Sequence, residues 1–328
     1  MQYRLLGKSG VRVSTICLGT AFFGIAPRED DAPALVHRAL DLGINLVDTA
    51  NSYGNQARFD RPGLPPWHER PSSEELVGRA LKGRRHEVVV ATKVQEQVGE
   101  GPNDGGPAGG GLTRRHIVAQ CERSLRRLGT DHIDVYYAHH PDPTTPLDQT
   151  LRAFDDLVRQ GKVRYPALSN YPAWQLTRTL WLCDRRHLHP PIAMEMPYSL
   201  LNRGIERDVV PACVEFGVGI TCYSPLAEGL LTRRFAPDQP PPDESVTFRH
   251  GATHVFSETR LQQAARFTAL AQKWGMAPPV LALAWLLGRP GVTSAIAGSA
   301  TVEQLEQVVP AADLSLTPEQ TVALDTFE

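Results

Sequence analysis

The sequence has no long hydrophobic run. Nothing in its 328 residues approaches the roughly 18 consecutive apolar residues of a membrane span. The opening stretch, MQYRLLGKSGVRV, carries no apolar export core. Charge of one sign is not in excess. Lys and Arg number 34 against 36 Asp and Glu, a formal net charge of -2, with no long block of either sign. Nucleic acid and anionic membrane are therefore poor partners. Cysteine is scarce: Cys17, Cys121, Cys183, Cys213 and Cys222 are odd in number, scattered, and without CxxC or zinc-ligand spacing. That argues against a disulfide scaffold and suits buried, inert thiols in a reduced cytoplasm. Two phosphate-binding signatures are also missing. No GxGxxG turn follows an early strand, and the glycines of Glu96–Gly111 are not followed by the Lys-Ser/Thr of a phosphate loop.

What is present is alternation. Short extended runs, Tyr3–Leu6 and Arg12–Ile16, flank Gly7 and Gly10 and predict a β-hairpin able to plug the bottom of a barrel. Eight strand-then-helix units follow. Their strands are expected to end at Cys17–Thr20 and to span Ile44–Val47, Val88–Ala91, Ile133–Ala138, Val163–Leu168, Ile192–Met196, Gly219–Tyr223 and Thr293–Ala297. The helices between them are expected from Asp30 or Asp31 to Leu42, Ser73 to Leu81, Thr113 to Leu128, Leu147 to Gln160, from Pro172, Ile205 to Phe216, Glu258 to Trp274, Pro279 to Leu287, and Val302 to Val309. Strict alternation argues a parallel sheet, and eight units argue that it closes into a (β/α)8 barrel, for which a chain of this length is ordinary. No domain linker interrupts residues 1–328. Two stretches break the rhythm. Asn55–Pro71, carrying Trp67 and His68, and the Pro-rich Ala236–Glu244 are both placed to line or cover a pocket.

Chemistry in such a barrel is built at the C-terminal strand ends. Asp48 closes the apolar run Ile44–Val47, and Tyr53 lies five residues beyond it in GINLVDTANSYG. Lys93 follows another strand in ATKV, and His139 and His140 follow a third in DVYYAHHPD. Any one of these alone reads as an ordinary surface or structural residue. Together they make sense as a unit. A tyrosine acid needs an ammonium to stabilise its phenolate, and a partly buried ammonium needs a carboxylate to stay charged. An imidazole beside the phenol can orient a carbonyl oxygen or relay a proton.

Along essentially its whole length the chain resembles the aldo-keto reductases. The matching stretches are LGTAFFG, GINLVDTANSYG, VVVATKV, SLRRLGTDHIDVYYAHHPDPTTPLDQTL, LVRQGKVRYPALSN, YSLLNR, CYSPLAEGLLT and IAGSATVEQLEQ, in this order. The resemblance implies a TIM barrel that binds NADP(H), or NAD(H), without a Rossmann fold. It implies Tyr53 as proton donor, Lys93 lowering its pKa, Asp48 holding Lys93, and His139 rather than His140 orienting the carbonyl. It implies Gly19, Thr20 and Asp48 near the cofactor, Ser169 and Asn170 on its carboxamide, and Tyr223 stacked on the nicotinamide. Ser224, Leu226, Gly229 and Arg234 would hold the pyrophosphate, and Gly298, Ser299 and Gln304 the adenosine end. Phe22, Phe23, Trp67, His68 and His140 are the expected substrate pocket. No metal ligand is implied.

Three departures stand out. Glu195 occupies the place of the family's carboxamide-binding Gln, Ala300 that of a common basic residue, and Gln307 and Val308 that of an adenine-gripping Glu-Asn pair. The last two weaken a grip on a 2′-phosphate, yet NADPH stays the favoured cofactor. An ionised Glu195 would favour the oxidised nicotinamide, whereas burial would protonate it instead. The expected reaction is reduction of a small aldehyde, ketone or keto-sugar, with specificity set in Asn55–Pro71 and Ala236–Val255. Several stretches are similar to reductases of nucleotide-linked deoxysugars. A cofactor-sensing regulatory subunit with slow turnover and a metal-dependent barrel hydrolase are the rival classes. The second would want a His-x-His, which adjacent His139 and His140 do not supply.

Overall fold

A computed structural model describes residues 1–60, 62–106, 111–232 and 257–327. An antiparallel hairpin, β1 (Tyr3–Leu5) with β2 (Arg12–Ser14), precedes eight parallel strands. These are β3 (Ile16–Gly19), β4 (Leu46–Asp48), β5 (Val89–Val94), β6 (Ile133–Ala138), β7 (Val163–Ser169), β8 (Ala193–Pro197), β9 (Gly219–Tyr223) and β10 (Val292–Ala297), and β10 pairs with both β9 and β3 to close the ring. The helices outside are α1 (Ala32–Asp41), α2 (Ser73–Ala80), α3 (Arg114–Leu128), α4 (Leu147–Arg159), α5 (Ala173–Arg186), α6 (Val209–Phe216), α7 (Glu258–Lys273), α8 (Pro278–Leu287), α9 (Val302–Val308) and α10 (Pro318–Asp325).

Local chemistry accounts for most of these ends. Ser72 and Glu75 form a reciprocal capping box at α2, and Thr113 caps α3. Gly129 and Gly217 take the left-handed conformation that ends α3 and α6. Asp31 sits at the N-cap of α1, but its side chain makes no cap bond.

Several expected bounds shift for identifiable reasons. The second barrel strand starts at Leu46 rather than Ile44, because the Ile44 N–H closes α1 on the Ala39 carbonyl, while the Asn45 side chain binds the Ser14 N–H and the Arg12 carbonyl. The next strand runs on to Val94, so Lys93 lies inside β5 rather than beyond it. The segment from Ile205 splits: a short 3-10 turn, Gly204–Glu206, precedes α6, which Asp208 caps. α10 was not anticipated, although Thr317 and Gln320 form a capping box there. The Pro-rich stretch Ala236–Glu244 and the rest of Ala236–Val255 lie outside the described residues.

Side chains alternate across a strand with period two, and this sets the barrel's interior. Leu46, Ala91, Val135, Tyr137, Ala167 and Ala193 point inward and pack with Leu6 and Val13 of the hairpin region. The hairpin therefore closes the bottom with apolar surface. Two positions further along β4, β5, β7 and β8, on the same inward face, come Asp48, Lys93, Ser169 and Glu195. A polar layer thus sits on an apolar plug. All five cysteines are buried and unpaired.

Candidate active site

Lys93 is fully buried, and a charge so placed must be compensated. Its ammonium donates to both oxygens of Asp48, each at 2.6 Å, and to the Thr49 carbonyl at 3.1 Å. Glu195 Oε1 lies 3.3 Å away. Burial alone would lower the lysine pKa. Asp48 and Glu195 outweigh it and hold the group well above its ordinary value, so Lys93 is a fixed cation.

The Lys93 ammonium stands 4.9 Å from the centre of the Tyr53 ring. Tyr53 is placed by its backbone: its carbonyl accepts the N–H of Ser73, the first residue of α2, and its own N–H binds the Ala50 carbonyl. Burial pushes the phenol pKa up, the Lys93 charge and a hydrogen bond from it pull it down, and Asp48 and Glu195 push it up again. The balance is above the ordinary tyrosine value. Lys93 pulls the pKa down but does not win, because burial, with two carboxylates beside it, outweighs the ammonium. Tyr53 is thus held in its protonated, donor form.

His139 follows β6, and its N–H is fixed on the Val94 carbonyl at 2.9 Å. Its ring meets Tyr53 edge-on, with centres 5.9 Å apart, and stacks on His140 at 4.8 Å. Glu96 reaches both rings, its Oε1 lying 3.4 Å from His140 Nε2 and 3.9 Å from His139 Nδ1. Among the described residues, these three are the group whose ligand atoms converge, within 4.8 Å of one another.

Around this core, Asn170 follows β7 in a left-handed conformation with φ +63°. Its amide donates to the His139 carbonyl and to Ser169 Oγ, both at 3.0 Å, and its oxygen accepts the Tyr223 hydroxyl at 2.9 Å. Ser169, Asn170 and Tyr223 are thereby locked to one another. Past β9, Ser224, Ala227 and Glu228 all take positive φ, followed by Gly229 at +99°. Non-glycine residues held this way are costly and collect at ligand sites. They fold this loop back on itself, the Ala227 N–H bonding the Ser224 carbonyl and the Gly229 N–H that of Leu226.

Other expected site residues fall differently. Gly19 ends β3, where a Cβ would lie 2.6 Å from an Ile296 methyl carbon. The Thr20 hydroxyl is committed to the Asp48 carbonyl and to Ser73, so it braces the site rather than facing a ligand. Leu226 packs against the core. Gly298 leaves open space above it, Ser299 is buried, and the Gln304 side chain binds the Ala300 N–H at the start of α9. Arg234 lies outside the described residues.

Of the substrate-pocket candidates, Phe23 is buried in the main core. Its neighbour Phe22 meets Phe59 edge-on. Trp67 and His68 are exposed and pack on each other at 5.7 Å. Arg70 was missed. It is 4 % exposed and donates to the carbonyls of Gly54, Gln56 and Pro65 and to Asp60, stapling the loop after Tyr53. Its only local signal is a basic residue inside a proline-rich loop.

Residues 15–328 match the profile of the Aldo/keto reductase family. The chain belongs to that family. It is 37 % identical over 323 residues to the "Uncharacterized oxidoreductase YrpG" of Bacillus subtilis, covering 97 % of this chain and 93 % of the relative. It is 33 % identical to a rice protein named "Probable voltage-gated potassium channel subunit beta", covering 97 % and 94 %. It is 32 % identical to the Escherichia coli K12 "L-glyceraldehyde 3-phosphate reductase", covering 95 % and 87 %. An aldo/keto reductase is an oxidoreductase of carbonyl groups that uses a nicotinamide cofactor. No helix among the described residues is long and apolar enough to cross a membrane.

The residues present fit such a cofactor. Glu195 Oε2 is buried at the mouth with no hydrogen-bond partner among the described residues. The loop 224–229, with its positive-φ residues, leaves the same end of the barrel.

Proposed function

We propose that this aldo/keto reductase reduces a small aldehyde, ketone or keto-sugar to the alcohol, with NADP(H) as cofactor and Tyr53 as the proton donor. One observation carries the reading: a buried ammonium, clasped by Asp48, stands against the Tyr53 ring, with the His139 ring edge-on to the same tyrosine. When bound, the cofactor supplies a hydride to the carbonyl carbon. The chain supplies everything else. Tyr53 gives its hydroxyl proton to the carbonyl oxygen, and Lys93 stabilises the phenolate left behind. Asp48 keeps Lys93 charged and aimed. His139 orients the carbonyl oxygen toward the phenol and, with Glu96 and His140, opens a proton path to solvent. Ser169 and Asn170 would hold the carboxamide, Tyr223 the ring, and the 224–229 loop the pyrophosphate.

The test is a panel of carbonyls and alcohols run with all four nicotinamide forms, in the wild type and Tyr53→Phe. Since general acid catalysis is worth roughly 10²–10⁴-fold, Tyr53→Phe should lose at least that in kcat while cofactor Kd stays nearly unchanged. Normal turnover by Tyr53→Phe would remove the role. The same panel reads NADP(H) against NAD(H). The rice relative's name favours one second reading, a cofactor-sensing subunit. It predicts tight cofactor binding with turnover too slow to cycle on any carbonyl of the panel.

A further inference from the structure

The cluster around Lys93 holds one more carboxyl than its charge requires. Among the described residues, Lys93 is the one cation in contact with Asp48 and Glu195. Asp48 takes the two shortest contacts of its ammonium, at 2.6 Å, and the Thr49 carbonyl another at 3.1 Å. Glu195 is left with a 3.3 Å contact through Oε1, and its Oε2, buried, meets no donor. Two buried carboxylates facing one cation cannot both ionise cheaply. The remaining neighbours do not help. Cys17 of β3, Tyr53 after β4, Tyr137 of β6 and Tyr223 of β9 face Glu195, Cys222 lies near it on the outer face of β9, and burial raises the pKa of each, so they stay neutral. Asn170 and Ser169 bond each other, and Thr221 bonds Tyr137.

We infer that Glu195 is a neutral carboxylic acid that lends its proton to Asp48, standing in for a carboxamide beside the nicotinamide, and that losing this proton switches the site toward the oxidised cofactor. A protonated carboxyl has one donor and one acceptor on the same planar frame as an amide. Burial raises the Asp48 carboxyl too, but the Lys93 charge and hydrogen bonds from Lys93 and Glu195 pull it back down, so of the two the proton stays on Glu195. Burial, then the Asp48 charge, pushes the Glu195 carboxyl up to about 8, with Lys93 pulling the other way. Above that range a second anion sits at the mouth. An anion there stabilises the cationic oxidised ring and not the neutral reduced one. By linkage, binding of the oxidised form must expel the Glu195 proton, and binding of the reduced form must not.

The inference rests on the nicotinamide reading of the site, and the experiment separates the two. Dissociation constants of NADP+ and NADPH are measured by fluorescence titration from roughly two pH units below to two above the transition, in the wild type and Glu195→Gln. Infrared difference spectra of the cofactor-free protein over the same range follow the protonated-carboxyl stretch. In the wild type, the affinity ratio should move about tenfold toward the oxidised form as pH rises, as one added charge near the ring predicts. The acid band should bleach in step. Glu195→Gln should show a flat ratio and no band. A flat wild-type ratio, an unchanged slope in Glu195→Gln, or a missing band overturns the inference while leaving the reductase reading intact. Failure of both cofactor forms to bind overturns the reductase reading and the switch with it, and the band still reports whether Glu195 carries a proton. Should Glu195→Gln not fold, the wild-type ratio and band decide together.

Discussion

Lys93 shows how little freedom a single residue has once it is placed inside a barrel. Breaking a buried ion pair by removing one partner ordinarily costs about 3–5 kcal/mol. Here Glu195 touches the same ammonium and can ionise in place of Asp48. Asp48→Asn is therefore expected to cost less, about 1–3 kcal/mol in urea denaturation. The double variant Asp48→Asn/Glu195→Gln should lose more than the sum of the two single losses. Simple additivity would mean that Glu195 does not take over. The Glu195 carboxyl makes the protein's stability depend on pH. Its folded pKa, about 8, lies above the ordinary 4.5. Between those values the native state binds a proton that the unfolded chain has released, so stability falls as pH rises through that window and levels off above it. Urea midpoints across that range should show this decline in the wild type and lose part of it in Glu195→Gln; identical slopes would place the proton elsewhere.

At the level of elements, the loop between β4 and α2, which starts out past Tyr53, is held by one buried side chain. Arg70 holds it with four partners, Gly54, Gln56, Asp60 and Pro65, and its planar fork is what allows so many at once. Arg70→Ala leaves several carbonyls and Asp60 without their donor, at roughly 2–4 kcal/mol. The loop should become the first site of proteolytic cleavage, and KM for the carbonyl should rise more than kcat falls. Arg70→Lys should rescue little, because a point ammonium cannot span the four acceptors. An unaltered cleavage pattern in Arg70→Ala would show that the loop is held by something else.

Arg70 also marks where sequence reading runs out. The strand and helix alternation is legible because periodicity and caps are local: Ser72, Thr113 and Gly129 act within a turn of where they stand. The tetrad is legible because Asp48, Lys93 and His139 each sit at or near an apolar strand's end. Partners distant in sequence leave no local trace. Nothing near Phe23 says that it turns into the core while Phe22 meets Phe59, and nothing near Thr20 says that its hydroxyl serves Asp48 and Ser73. The Glu96 contact with the two histidines is hidden in the same way, because a glycine-rich stretch reads as a spacer.

For the whole molecule, the barrel separates the means of staying folded from the means of reacting. The hairpin seals one end with Leu6 and Val13, and the polar layer of Asp48, Lys93 and Glu195 occupies the other. Gly7 is where the seal is tightest. Its φ is +58°, and a Cβ there would lie 2.4 Å from the Ile192 carbonyl oxygen and 2.9 Å from that of Gly217, at the starts of β8 and β9. The neighbours are backbone and cannot swing away, so Gly7→Ala adds a clash to a conformation already unfavourable for an L side chain. The expected loss is about 2–4 kcal/mol, seen as a lower urea midpoint. Yet kcat/KM of the folded fraction should stay within about twofold of wild type, since no strand end at the mouth depends on that turn and an effect so small is under 0.5 kcal/mol of transition-state stabilisation. A fall in kcat/KM matching the loss of stability, measured well below the melting temperature, would show that strain at the bottom propagates along the strands to Lys93, and that the two ends of this barrel are not independent.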